Sequence, residues 1–136
     1  MKIIKTSLIV LSLAVIPVFG SNYQSIIRIE NIFEKLISWN SETIDVGEIP
    51  QGVPKSIKFE FKNTTDKPVF ISNVKASCGC TAADYSKEPI APKKSGFVIA
   101  TYNASNTGAF TKTVTVTTSD SDVVKVLKFK GNVVKS

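Results

Sequence analysis

The 136-residue chain has no histidine, and its only methionine is Met1. Without an imidazole, neither a Ser-His-Asp nor a Cys-His hydrolytic arrangement can be assembled. Catalytic zinc sites and most copper and non-haem iron sites fall with it, because they draw on one or more histidine ligands. Paired-carboxylate chemistry needs two acids that the fold brings together. Acids such as Glu60, Asp66 and Asp120 fall instead in turns or at outward positions of alternating segments, and no pair stands out. These absences predict a non-catalytic protein with no cofactor. Clustered positive charge is also missing. The 17 basic residues exceed the 11 acidic ones, but the lysines are scattered and not interleaved with aromatics as a nucleic-acid surface requires. They read as a solvated surface that keeps sheet edges soluble.

Long apolar runs are absent except at the start. Lys2 and Lys5 precede an apolar stretch from Leu8 to Phe19 broken only by Ser12, the charge order of a secretory signal peptide. The run is shorter than the roughly 20 residues of a membrane span. Residues 1–20 are therefore expected to be a signal removed after Gly20, which places the protein outside the cytoplasm, in the periplasm or at the cell surface, with no transmembrane segment in the mature chain. Removing Lys2 and Lys5 leaves 15 basic against 11 acidic residues. The remaining length suits one domain with one core.

Residues 21–39 read as a helical spacer. From Tyr23 to Leu36, Ile26, Ile29, Ile32, Phe33 and Leu36 recur at intervals of three and four, an amphipathic helix pattern that is marginal without packing. The alternation of Ile37 and Trp39 already has the period of a strand. From residue 40 to 136 period two prevails. Thr43–Ile49 reads as a strand; Ile57, Phe59 and Phe61 face one way while Lys58, Glu60 and Lys62 face the other, which implies one buried and one wet face. Asn63–Lys67 is a turn cluster, and Val69, Ile71 and Val74 carry the next strand. Residues 82–96 read as a loop crossing between sheets. Strands follow at 97–102, 112–118 and 123–134, the last as one strand or two. About seven short strands with turn signals between them predict an all-β, immunoglobulin-like β-sandwich.

Both cysteines lie in Ser77-Cys78-Gly79-Cys80-Thr81. They can pair with each other, stay reduced, or reach another molecule. A disulfide needs Cβ atoms about 3.5–4.5 Å apart, whereas residues i and i+2 of an extended strand stand nearly 7 Å apart at a rise of about 3.3 Å per residue. Pairing therefore demands a tight bend at Gly79. Cys78 and Cys80 are the candidate redox or structural pair, expected as a partly buried feature of a strand-to-loop corner.

The chain resembles the bacterial "domain of unknown function 1573" family, exported domains related to the hydin-like and major-sperm-protein-like immunoglobulin folds. The resemblance runs through Ile44-Asp-Val-Gly47, Phe59-Glu-Phe61-Lys-Asn63, Pro68-Val-Phe-Ile71, the Ser77–Thr81 pentad, Pro89-Ile-Ala-Pro92, Gly108-Ala-Phe110 and Leu127-Lys-Phe-Lys-Gly131. The pentad is its specific element. Lys93-Lys94 departs from it, standing where a Pro-Gly turn is usual. The resemblance implies the sandwich fold and export. The expected function is a non-catalytic binding or structural module of the bacterial cell envelope, its partner a protein or other envelope component. The alternative is a thiol/disulfide or soft-metal (copper) site at Cys78-Gly79-Cys80.

Overall fold

The computed structural model describes residues 37–136; the expected signal peptide at 1–20 and the expected helical pattern at 23–36 lie outside them. Eight strands run in chain order: β1 (Ile37–Trp39), β2 (Thr43–Pro50), β3 (Lys55–Asn63), β4 (Ile71–Ala76), β5 (Thr81–Tyr85), β6 (Ser95–Tyr102), β7 (Gly108–Thr118) and β8 (Ser121–Val134). They form two four-stranded sheets, ordered β1-β3-β6-β5 and β2-β8-β7-β4. The architecture is the expected all-β, immunoglobulin-like sandwich. Ile37–Trp39, within the stretch assigned to the spacer but with the alternation of a strand, is strand β1. One strand was not expected. Residues 81–85, most of them within the expected 82–96 loop, form β5 along β6.

Alternation drives the packing. On β3, Ile57, Phe59, Phe61 and Asn63 are buried and the residues between them exposed. β6 pairs with β3 antiparallel, setting Phe59 opposite Val98 and Ile57 opposite Ala100. These side chains meet Val114, Val116, Leu127 and Phe129 of the facing sheet, all fully buried. Burying each large apolar side chain is worth roughly 1.5–3 kcal/mol. Near the core, Tyr102 and Phe110 stack with ring centroids 4.4 Å apart.

The chain changes sheets twice at places that shape the surface. Between Trp39 and Thr43 it leaves β3 and joins β8 in parallel, its first pairing being Thr43 with Lys128. Between Ala76 and Thr81 it crosses back, from β7 to β6. Gly131, on the β2–β8 seam, allows close approach there: an added Cβ would lie 2.6 Å from the Gly47 carbonyl oxygen and 2.7 Å from Val46.

Asn63 organises two loops. Its side chain is wholly buried; Nδ2 donates to the carbonyls of Lys67 and Ile90, while Oδ1 accepts from the N–H and hydroxyl of Thr65. Its backbone also accepts from Lys93 N–H. Lys93 holds φ at 66°, a left-handed conformation costly to any residue with a Cβ. Lys93→Gly is expected to raise stability by about 0.5–1 kcal/mol, since relief of about 1–2 kcal/mol of strain exceeds glycine's added unfolded-state freedom. A urea midpoint that falls instead would show that the lysine side chain contributes more than the strain costs.

Candidate functional site

The sequence singled out Cys78 and Cys80, and they sit at the crossing from β4 to β5. β4 ends at Ala76, the chain bends over 77–80, and β5 begins at Thr81. Ser77 N–H donates to the Thr113 carbonyl and Ser77 Oγ accepts from Thr113 N–H. Asn103 N–H donates to the Cys80 carbonyl. One end of the pentad is therefore fastened to each sheet.

Across that bend Cys78 and Cys80 form a disulfide, with Cα atoms 5.3 Å apart. The geometric objection to pairing assumed an extended strand, and the segment is not one. Gly79 does not supply the bend through left-handed angles: its φ lies outside that region, and an added Cβ would meet nothing within 4 Å. The bend follows from the two sheet attachments. Both cysteines are half-buried; Cys80 packs on the core, and Cys78 Sγ lies 3.7 Å from Thr81 Oγ1. As a disulfide, neither sulfur is a thiolate ligand, and no group of three His, Cys, Asp or Glu side chains among the described residues is placed to hold a metal.

The aromatics that might stack on a ligand are not gathered. Tyr102 is buried. Tyr85 lies on β5 with Lys87 Nζ 3.4 Å from its ring centroid, and Trp39 lies on the opposite edge strand β1, packed on Phe61 at 4.9 Å between centroids. The acids do not pair either. Asp45 Oδ1 accepts from Gly47 N–H and Oδ2 stands 3.8 Å from Lys130, beside a shallow groove of about 330 Å³ over the β2–β8 seam.

A feature that sequence reasoning missed lies at the β7–β8 hairpin. β8 starts at Ser121, but β2 joins it only at Lys128. Lys128 N–H donates to the Glu42 carbonyl on the β2 side. Because alternate residues of a strand point their backbone groups to opposite neighbours, and the β7–β8 register shifts only before Lys125, Val126 directs its N–H and C=O to that same side, beyond the end of β2. There they meet no strand among the described residues. Val123, Val124 and Val126 are 69%, 49% and 49% exposed. The hairpin is held in place: Ser119 N–H donates to the Phe70 carbonyl, and Phe70 N–H donates to Ser119 Oγ. The result is a sheet edge that no described strand covers, where three exposed valines stand beside Asp122 and Lys125, charges of the kind soluble domains use to blunt an edge.

Comparisons with known proteins agree with this architecture. A search of curated protein sequences returned no match. A protein of unknown function from Porphyromonas gingivalis W83 is similar in structure, with a TM-score of 0.62 at 16% identity, over 71% of this chain and 46% of that one. The PapD-like domain 7 of human CEP192 gives a TM-score of 0.62 at 8% identity, over 75% of this chain and 87% of that one. The Vibrio cholerae VesB protease matches at 0.58 and 14%, over 77% of this chain and 34% of that one. At these identities the likeness is one of fold. This chain thus spans less than half of the Porphyromonas and Vibrio proteins. Among the described residues no helix is long and apolar enough to cross a membrane. The family model for "Protein of unknown function (DUF1573)" matches residues 37–133, from the start of β1 to the penultimate residue of β8, and the chain belongs to that family.

Proposed function

We propose that this protein is an exported, non-catalytic binding module of the bacterial cell envelope, which takes up a partner polypeptide along the open edge of β8. The observation that carries this reading is the side of β8 away from β7 at 121–126, which no described strand pairs and where exposed valines flank backbone groups that a partner strand can satisfy. Strand addition of this kind takes affinity from main-chain hydrogen bonds and specificity from alternate side chains. The leader-like residues 1–20 and the disulfide support an oxidising, extracytoplasmic setting. A photoreactive residue at position 124 is expected to form a discrete adduct in cells of the source organism, and one at position 62, on the outer face of the other sheet, is not. Equal labelling from both positions, or none from 124, contradicts the reading.

A second reading places thiol exchange at the corner, and one observation favours it. A disulfide closing only three residues removes little chain entropy, about 1–2 kcal/mol, so its value to stability alone is small. As a structural clamp, the pair replaced by Cys78→Ser and Cys80→Ser should cost about 1–3 kcal/mol, through that entropy and lost packing, and leave partner adducts at position 124 unchanged. A double-Ser protein of unaltered urea midpoint that has lost its effect in the cell would favour exchange instead.

A further inference from the structure

Three buried side-chain polar atoms among the described residues lack a hydrogen-bond partner: Trp39 Nε1, Asp120 Oδ1 and Asp120 Oδ2. Both side chains line one cavity of about 200 Å³, between β1 and the β7–β8 turn, which Ile37, Val123 and Lys125 also line. Buried polar groups are normally satisfied, and a buried carboxylate without a donor costs several kcal/mol. Three such atoms beside one void therefore point to a ligand that completes them. The nearest cation does not: Lys125 Nζ is engaged 2.7 Å from Glu42 Oε1.

We propose that this cavity receives a basic side chain, lysine or arginine, carried by the partner strand that pairs with β8. This rests on the reading of β8 as a partner-binding edge and names the residue that edge selects. A carboxylate accepts only, so its complement is a group of N–H donors, strongest when charged. The indole N–H donates only, so it needs an acceptor, which the carbonyls of an incoming backbone supply. Val123 and Lys125 line the cavity just before the free amide of Val126, so a strand paired at Val126 runs past the cavity mouth. Ile37 and Val123 give an apolar wall for the methylene stem of lysine or arginine, whose charged head is then directed to Asp120.

Trp39 is the only tryptophan, so its indole ¹H–¹⁵N resonance reports on the cavity alone. The probes are acetylated, amidated pentapeptides of sequence Thr-Val-X-Val-Thr, with X lysine, norleucine or glutamate. The lysine peptide is expected to shift the Trp39 indole and the Val124 and Val126 amides, and to bind about tenfold tighter than the norleucine peptide, with glutamate weakest. Asp120→Asn should erase the lysine preference over norleucine; Asp120→Ala serves the same purpose if the first variant folds poorly. A lysine preference that survives both substitutions overturns the proposal, as does binding that leaves the Trp39 indole unmoved. If all three peptides shift Val124 and Val126 equally, the basic pocket is wrong and the β8 edge stands. If none shifts any of these resonances, both fail.

Discussion

Phe59→Asp and Val116→Asp are each expected to leave the protein unfolded at room temperature, and Lys58→Asp to leave it folded. Phe59 is 1% and Val116 0% exposed. Truncating a buried aromatic costs about 3–5 kcal/mol, and an unpaired buried carboxylate several more, against a total stability of about 5–15 kcal/mol for an ordinary domain. Lys58 is on the other face of the same strand, half-exposed, 2.6 Å from Glu60 Oε1 and 5.3 Å from the Phe97 ring centroid. Its replacement gives up an exposed pair worth at most about 1 kcal/mol and adds a mild repulsion. Circular dichroism in a urea series distinguishes the outcomes, and equal tolerance at 58 and 59 would mean that the register of β3 is wrong.

Asn63→Ala is expected to lower stability by about 3–5 kcal/mol, more than the loss of a neutral surface residue by an order of magnitude. The substitution removes two donated and two accepted bonds, although the Ile90 carbonyl keeps Val69 N–H and the Lys67 carbonyl keeps the Thr65 hydroxyl. Each lost bond is worth about 0.5–1.5 kcal/mol, and the vacated volume adds to it. The damage should be local to the turns at 63–67 and 90–94, so the urea midpoint should fall with little change in its slope. A loss under about 1 kcal/mol would show that these loops hold their shape without the asparagine.

What the sequence disclosed and what it hid follow from how far each feature depends on distant pairing. The period-two run Ile57–Asn63 identified β3 and its buried face without reference to any other strand. β5 was hidden because Thr-Ala-Ala-Asp-Tyr contains alanine and aspartate, poor strand formers in isolation; it is a strand because β6 presents Val98–Tyr102 to it. Asn63 was legible as the start of a turn, yet asparagine is mostly exposed, so nothing local marked it as buried. The cysteine pair was located correctly, but its bonding was not derivable, since the bend depends on two sheets attached at Ser77 and Cys80. The open edge of β8 was invisible for a related reason. It exists because the chain spends residues 37–39 in the other sheet and returns to β8 only at Thr43. Likewise Trp39 and Asp120, far apart in sequence, share a cavity only after β1 and the β7–β8 turn close the same end of the sandwich.

The central claim is that β8 keeps an open, ordered edge at 121–126, and amide hydrogen exchange of the folded protein tests it most directly. Val126 should exchange rapidly while its neighbours Lys125 and Leu127, paired with β7, stay protected, an alternation within one strand that fraying cannot produce. Slow exchange at Val126 in the free protein, or equally fast exchange at all three amides, would contradict the account.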